Sequence, residues 1–299
     1  MNIFSFFSHG KKAIPPKTNK TIALSDRDYE QIIGSFREET RQPSLKLEVI
    51  RRSLDAYASK LGGLPYLPPD FSYPYNQNPA SDKKPLKLLA QLNFSKLPHL
   101  PDFPVDGILQ FYLACEKKEA CWGLDFDGFS NQSAFRVVYH QNIILDPNQL
   151  QSPPEMDAEG LERFPFRGEF ALLPQENYSF MNNCDFRYSD TFAKYITNNS
   201  AIQNLLTLTN ESAVDDYLSE AVSTTGHCIG GYPFFTQSDP RSYTQALQNH
   251  TVLLLQIDST GQRENEIVWG DCGVANFFIK PEDLRKLDFS KVIFTWDCY

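Results

Sequence analysis

The stretch His227-Cys228-Ile229-Gly230-Gly231-Tyr232-Pro233-Phe234-Phe235-Thr236-Gln237 decides the fold, because an earlier stretch repeats its pattern. That earlier stretch reads Lys60-Leu61-Gly62-Gly63-Leu64-Pro65-Tyr66-Leu67. In both, two glycines precede an apolar residue, a proline and an aromatic residue. Paired glycines permit a positive φ and a close approach of the backbone, and the proline fixes the direction in which the chain leaves. Each stretch therefore predicts a rigid turn.

Two strand-like segments follow each turn in the same order. Residues 88–93 match residues 253–258, and residues 107–113 match residues 273–279. Gln91 follows Gly62 by 29 positions, and Gln256 follows Gly230 by 26. Gly107 then follows Gln91 by 16 positions, and Gly273 follows Gln256 by 17. Three matches in order at near-equal spacing predict an internal duplication. The alternative is a chance similarity between buried strands.

The composition favours a fold built mainly of strands. The 299 residues include 23 Phe and 14 Tyr, which are enriched in strands. The 20 Pro and 15 Gly predict short elements joined by many loops. With the repeated pattern, these features predict an α+β, β-rich fold. We expect mixed or antiparallel sheets with a pseudo-two-fold internal duplication and a few peripheral helices.

The charge and the cysteines narrow the classes of function. A net charge of −9 argues against non-specific nucleic-acid binding, whose affinity comes mainly from cations on phosphates. The six cysteines form no Cys-x-x-Cys pair, so we expect no structural zinc and no cofactor. The apolar patch near the N-terminus precedes the basic residues, the reverse of a signal peptide, and no apolar run approaches the roughly 18 residues of a membrane span. We therefore expect a cytoplasmic protein without membrane contact.

The remaining pattern divides the chain into a loosely held arm, residues 1–20, and a single domain, residues 21–299. Ser25, followed by acidic residues and by apolar residues at helical spacing, predicts a helix over 26–40. A linker rich in Pro, Asp and Glu at 146–165 separates two similar halves. The halves span about 44–145 and 165–299. We also predict strands at 45–49, 121–126, 135–140, 170–173 and 292–296, and helices near 190–197, 212–222 and after Pro281.

Several motifs together resemble the YwqG family of bacterial proteins. They are Ser59–Pro68, Leu89–Asn93, Gly230–Pro233, Leu254–Asp258, Trp269–Asp271 and Asp288–Ser290, so the resemblance runs from about residue 40 to the end. That family is a domain of unknown function. Its turns and glutamine-bearing strands are also similar to those of the programmed-cell-death-2 and ribosome-assembly proteins, which escort a ribosomal protein and bind zinc through Cys-x-x-Cys pairs. This chain lacks those pairs, so the resemblance implies a duplicated β-rich fold and a protein- or peptide-binding role without a metal.

Four residues at or after the second turn are candidates for catalysis: His227, Asp239, Asp271 and Cys272. A cysteine nucleophile with a histidine base and an orienting acid is one possible arrangement. A hydrolase or nuclease that uses Asp239, Asp271 and His227 is another. Either one needs side chains from separate segments to converge within hydrogen-bond reach. Because buried thiols are more often structural, the sequence favours a protein without catalytic activity.

Gln91 and Gln256 interrupt an apolar run at the same position of the repeat. A buried amide needs partners for two donors and an acceptor. In one interpretation these side chains, with Asn93 and Asp258, line a polar ligand cleft. In the other, each glutamine hydrogen-bonds the backbone of its own glycine turn. We expect the second: both glutamines buried, with amides bonded to main chain.

The segment after the second turn presents Gln237, Asp239 and Arg241 close to Tyr232 of the turn itself. Asp-Pro starts a turn, and Arg241 can pair with Asp239. Such a loop is as consistent with a structural role as with a recognition surface. The function that we expect is a non-enzymatic module, escort- or chaperone-like, that binds a protein or peptide. A small-molecule sensor with an apolar pocket is a further alternative.

Overall fold

A ten-stranded antiparallel sheet organises the computed structural model, which describes residues 24–116, 121–126, 128–156, 158–206, 214, 217–218, 221–261 and 266–299. Its order is β10-β9-β8-β7-β1-β6-β2-β3-β4-β5. The predicted β-rich α+β fold is confirmed. The strands are β1 Gln42–Arg51, β2 Lys60–Gly62, β3 Lys87–Asn93, β4 Ile108–Leu113, β5 Phe135–His140, β6 Glu169–Ser179, β7 Cys228–Gly230, β8 Val252–Asp258, β9 Val274–Ile279 and β10 Ile293–Asp297.

Helices accompany the sheet, and the first of them confirms the helix predicted over 26–40. It begins at Ser25, whose hydroxyl accepts from the Asp28 N–H while the Asp28 carboxylate accepts from the Ser25 N–H. This capping box satisfies two N–H groups that the helix leaves unbonded. Its buried Phe36 packs against Phe192 and Tyr195. The α-helices whose bounds lie within the described residues are α1 Asp26–Thr40, α2 Ala158–Arg163, α3 Tyr188–Asn198, α4 Ser200–Leu206 and α5 Pro281–Arg285.

The strand order is symmetrical about the central pair β1 and β6. Strands β7 to β10 follow β1 on one side, and β2 to β5 follow β6 on the other. The central strands are exchanged between the halves of the chain. Strand β1, which precedes the first turn, pairs with β7, which leads into the second turn, and β6 pairs with β2. Each half of the sequence therefore supplies the inner strand of the other half's side of the sheet.

Each glycine turn begins at the end of a three-residue strand. The φ angles are 63° and 68° at Gly62 and Gly63, and 71° and 72° at Gly230 and Gly231. Other residues rarely adopt such angles. A Cβ on Gly63 would also collide with the Glu169 side chain. The glycines are therefore needed both for the direction of the backbone and for the room they leave.

In the first half a buried glutamine amide ties the turn to strand β3. The Gln91 Oε1 atom accepts from the Tyr66 N–H at 2.9 Å, just after the turn. Its Nε2 donates to the carbonyls of Ala56 and Ala58, just before the turn, at 2.8 and 2.9 Å. Gln110 of β4 donates a further bond to the same Oε1 at 2.8 Å. One side chain therefore clamps both ends of the turn.

The second half repeats the three bonds between the glutamine and its turn, although Asn276, in the place of Gln110, donates to the Phe234 carbonyl instead. The Gln256 Oε1 atom accepts from the Phe234 N–H at 2.7 Å, and its Nε2 donates to the carbonyls of Thr224 and Gly226, both at 2.8 Å. Gln91 and Gln256 are both fully buried. The expectation that each amide hydrogen-bonds the main chain of its own turn is confirmed.

The two sides of the sheet share one core. Phe111 on β4 packs on Phe277 of β9 with ring centroids 4.8 Å apart, and Phe135 on β5 packs on Phe294 of β10 at 5.4 Å. These strands stand at opposite ends of the sheet order, so the sheet curls until its two sides face each other. Leu45 of the central strand β1 belongs to the same cluster. Each side therefore buries its apolar face against the other.

The structure contradicts the sequence predictions in one segment. Residues 121–126 form turns and bends, so the predicted strand there is wrong: Trp122 and Gly123 both take a positive φ, which interrupts extended backbone. The linker at 146–165 contains the short helix Pro147–Gln149 as well as α2. The predicted arm at 1–20 and most of the predicted helix near 212–222 lie outside the described residues.

The hydrogen bonds between Gln256 and its turn predict that replacing this one side chain strongly lowers the stability of the fold. Replacing Gln256→Leu keeps the volume but leaves the Phe234 N–H and two carbonyls without a partner, so we expect a loss of about 3 kcal/mol in the free energy of unfolding. The control Gln175→Leu, on an exposed position of β6, should change it by less than about 0.5 kcal/mol. Urea unfolding of both variants measures this. Equal stability of the two variants would show that the amide does not hold the turn.

Candidate functional site

A polar cleft of about 310 Å³ lies beside the second glycine turn. Helix α1, the central strands β1 and β6, strand β7 and the segment before β7 all contribute to it. Among the described residues that line it there is no Asp and no Glu. We call it the hydroxyl cleft and define it by its polar side chains: Arg37, Ser44, Lys46, Asn177, Ser223 and Thr225.

Strand register places the floor of the hydroxyl cleft on one face of the sheet. Ser44 stands opposite Asn177 of β6, and Lys46 stands opposite Cys228 of β7. Directly opposed residues point to the same face, as do residues two apart on a strand. Leu45 and Leu47, which alternate with Ser44 and Lys46 along β1, point into the core. The alternation that buries Leu45 and Leu47 in the core thus places Ser44 and Lys46 on the cleft side of β1, where Ser44 is buried and Lys46 is exposed.

Two cations border the hydroxyl cleft. The Arg37 guanidinium lies 4.6 Å from the centroid of the Phe180 ring, which holds it by a cation–π contact. Lys46 is exposed on β1. Within the described residues neither side chain forms an ion pair, unlike the neighbouring Arg41, which lies 3.7 Å from Glu38. The positive charge of the cleft is therefore available to a ligand.

Hydroxyl and amide groups supply the remaining polar atoms. The hydroxyls of Ser223 and Thr225 bond to each other at 2.8 Å, which leaves one of their two hydrogens to donate. The Asn177 amide donates to the Ser44 Oγ at 3.4 Å, which leaves the Ser44 hydroxyl hydrogen to donate. The hydroxyl cleft thus combines two cations with neutral donors, an arrangement suited to an anionic group.

His227 lies under the hydroxyl cleft with both ring nitrogens in use. Its Nδ1 accepts from the Asp258 N–H at 3.2 Å, so Nε2 carries the ring hydrogen and donates it to the Thr260 Oγ1 at 2.7 Å. Burial lowers the pKa of His227 to about 4. A neutral ring with both nitrogens bonded inside the protein is not available as a general base.

Cys228 and Asp258 are likewise held by their surroundings. Burial raises the pKa of the Cys228 thiol to about 12, so the thiolate does not form near neutral pH. The Asp258 carboxylate accepts from the N–H groups of Gly226 and Ser259 at 2.7 and 2.8 Å, and burial raises its pKa. Asn93, at the matching place in the first half, donates to the Tyr57 carbonyl at 2.8 Å. Asn93 and Asp258 therefore support the segments that enter the two turns.

Asp239 and Arg241 form a buried ion pair, not an exposed recognition loop. The Arg241 Nη2 lies 2.7 Å from the Asp239 Oδ2, and its Nη1 donates to the His250 carbonyl at 3.0 Å. Asp185 extends the network: it lies 3.5 Å from Arg241 and 2.7 Å from Arg187. Arg241 has no exposed surface. This alternating set of four charges fixes the loop after the second turn to the segment before α3.

The remaining candidates from the sequence lie in separate surroundings. Asp271 and Cys272 are exposed in the turn before β9. Gln237 is exposed, and its amide donates to the Cys298 carbonyl at 2.5 Å. Tyr232 is buried, and its hydroxyl donates to the Thr40 carbonyl at 2.7 Å. No hydrogen bond, ion pair or cavity in the described part of the chain joins Asp271 to His227 or Asp239.

Sequence reasoning missed Arg37, Lys46, Asn177, Ser223 and Thr225. The alternation of residues 45–49 did predict a strand with one wet face, which places Lys46 toward solvent. It gave no sign that α1 and the segment before β7 would enclose that face. The hydroxyl cleft arises from four separate parts of the chain, and these meet only because β1 crosses to the other half.

The family of the chain follows from a comparison with protein-family models. A model described as a domain of unknown function, DUF1963, matches residues 59–298, so the match includes both glycine turns and begins after α1 and β1. None of the curated proteins matches the chain. Over the ranges that the structure describes, no helix is long and apolar enough to cross a membrane, and no three His, Cys, Asp or Glu side chains are grouped to hold a metal ion. The chain belongs to the DUF1963 family.

The lowered pKa of His227 predicts a pH dependence of stability. Because folding lowers this pKa from 6.5 to about 4, the unfolded chain binds a proton more readily between these values, and stability falls as the pH falls through that window. At pH 5.5 the loss from His227 should be about 1.4 kcal/mol relative to pH 8.

The variant His227→Ser isolates this contribution. It copies Ser59, whose hydroxyl accepts from the Asn93 N–H at 2.9 Å in the first half. Urea unfolding at a series of pH values should give a slope that is shallower than that of the parent protein. His99→Ser, at an exposed histidine, should leave the slope unchanged. Parallel curves for the parent protein and His227→Ser would contradict the assignment.

Proposed function

We propose that this chain, a member of the DUF1963 family, is a non-enzymatic binding module that holds an acidic segment of a protein or peptide in the hydroxyl cleft. The observation that carries the proposal is the lining of that cleft. It has two cations and several neutral donors but no carboxylate among its described residues, on a chain whose net charge is −9. A carboxylate bound there exchanges water for charge-assisted hydrogen bonds.

The distribution of charge favours a protein segment over a nucleic acid. With 37 acidic and 28 basic residues, the chain carries a net negative charge, which repels a long row of phosphates. A peptide brings one or two carboxylates and otherwise neutral groups. A cleft of about 310 Å³ is large enough for a few side chains.

The binding proposal agrees with an origin of the chain by internal duplication, which we also infer. The symmetrical strand order, the four positive-φ glycines and the identical bonding of Gln91 and Gln256 support it. So do matching bulges in the two glutamine-bearing strands, at Leu88/Ala90 and Leu253/Leu255. We further propose that residues 21–299 form one YwqG-like domain and that the likeness to escort proteins extends to holding a client segment in the cytoplasm.

The alternative of a hydrolase or nuclease has less support from the geometry. It requires Asp239, Asp271 and His227 to converge on one reacting atom. Asp239 is committed to Arg241 in a buried ion pair, and His227 is committed to Asp258 and Thr260. The groups of the hydroxyl cleft, by contrast, retain hydrogen-bonding capacity toward solvent. The alternative of a small-molecule sensor concerns a different cavity.

Fluorescence anisotropy with labelled peptides tests the proposal. A capped peptide with two glutamates should bind the parent protein at least about tenfold more tightly than the same peptide with two glutamines. Lys46→Glu should abolish the preference for glutamate, and Arg37→Gln should weaken it. Lys84→Gln, at an exposed lysine outside the cleft, is the matched control and should retain it. A neutral peptide with a free terminal carboxylate distinguishes side-chain from C-terminal carboxylates.

The same experiment can overturn the proposal. Equal affinity for the glutamate and glutamine peptides, or an unchanged preference in Lys46→Glu, would contradict a carboxylate in the hydroxyl cleft. An oligothymidylate that binds more tightly than the glutamate peptide, with the same dependence on Lys46, would replace a protein partner by a nucleic acid. Thermal unfolding of each variant establishes that a lost preference does not come from a lost fold.

A further inference from the structure

A second cavity, of about 490 Å³, lies beside the first glycine turn, and we call it the Lys87 cavity. Its surface is mainly apolar, with Leu161 of α2 and Phe166 among the residues that form it, and Gly63 and Gly168 lie in its wall. The charged residues Glu162, Arg167 and Glu169 also line it. Lys87, the first residue of β3, also lines it. A concave site of this size, with a mainly apolar surface and a few charged groups, is typical of small-molecule binding.

The pseudo-two-fold symmetry supplies a comparison for the Lys87 cavity within the same chain. Gly231 and Val252 take the places of Gly63 and Lys87 in the second half, and both line a cavity of about 240 Å³. Val252 pairs with Ile279 just as Lys87 pairs with Leu113, at the start of the equivalent strand. An apolar residue at this position is therefore compatible with the fold, and the fold does not require a lysine there.

The charge of Lys87 has no counterion in the described part of the chain. Its Nζ lies 5.2 Å from the centroid of the Phe164 ring, and burial lowers its pKa. The Glu169 carboxylate, which also lines the cavity, is engaged elsewhere: Oε1 lies 3.2 Å from the Lys60 Nζ and Oε2 accepts from the Leu54 N–H at 3.1 Å. A half-buried ammonium without a paired carboxylate is costly unless a ligand supplies one.

We propose that the Lys87 cavity binds a small molecule with an apolar body and a single carboxylate. The carboxylate pairs with the Lys87 ammonium, and the apolar body lies along Leu161 and Phe166. The site is distinct from the hydroxyl cleft and makes the protein responsive to a small acid in addition to the acidic segment. It does not depend on the proposed function, because the two sites share no residue.

Isothermal titration with octanoate and with 4-phenylbutyrate tests this site, with 1-octanol as the uncharged match. We expect saturable binding of at least one acid below about 1 mM and at least about tenfold weaker binding to Lys87→Met. Lys87→Met retains the length of the side chain and removes its charge. Leu161→Trp, which fills the cavity, should abolish binding of the acids. Lys84→Met, at an exposed lysine of the preceding loop, is the matched control and should bind as the parent protein does.

Three results would overturn the proposal. The first is that neither acid binds in a saturable way. The second is that Lys87→Met binds the acid as tightly as the parent protein does. The third is that octanol binds as tightly as octanoate and that Lys87→Met changes the affinity for neither. Octanoate should also protect Lys87 from acetylation by acetic anhydride, measured by mass spectrometry of the tryptic peptides. Lys46→Glu should leave octanoate binding unaltered, which separates a failure here from a failure at the hydroxyl cleft.

Discussion

The structure depends on the hydrogen bonds from a buried glutamine amide to the two ends of its glycine turn. Strands β2 and β7 are only three residues long, so each forms few hydrogen bonds with its neighbouring strands. Gln91 and Gln256 add an acceptor for the N–H after the turn and two donors for the carbonyls before it. Because these groups are buried, each bond that is lost leaves a desolvated partner. The turns then fix where the walls of both cavities lie.

Positions that the fold requires carry equivalent groups in both halves, and positions where the halves differ indicate function. Glycines and glutamine amides are repeated. A polar side chain that bonds the main chain before the turn is also repeated, although Asn93 donates this bond and Asp258 accepts it. Lysine is not repeated. Lys87 stands where the second half has Val252, and Lys46 of β1 stands where β6 has Ala171. The pseudo-symmetry thus serves as an internal control, and both lysines line a cavity.

Short-range pattern predicted the parts of the fold that are local. The glycine turns, the helix at 26–40 and the buried glutamines follow from residue type and spacing alone. The exchange of β1 and β6 does not, because a strand's pattern specifies which face is buried and not which neighbour it pairs with. The hydroxyl cleft depends on that exchange, so Arg37 and Lys46 could not be grouped in advance. Asp239 and Arg241 were recognised as a pair, but their burial depends on Asp185, far away in the sequence.

The protonation states of His227 and Cys228 argue against either residue as a catalytic base or nucleophile. A catalytic base or nucleophile needs a pKa near the working pH and at least one atom left open to the substrate. Here burial moves the pKa of His227 to about 4 and that of Cys228 to about 12, which fixes each in its neutral form near pH 7. The Arg37 guanidinium and the Lys46 ammonium, by contrast, border the hydroxyl cleft and form no ion pair within the described residues. Such groups attract an anion and orient it through charge-assisted hydrogen bonds.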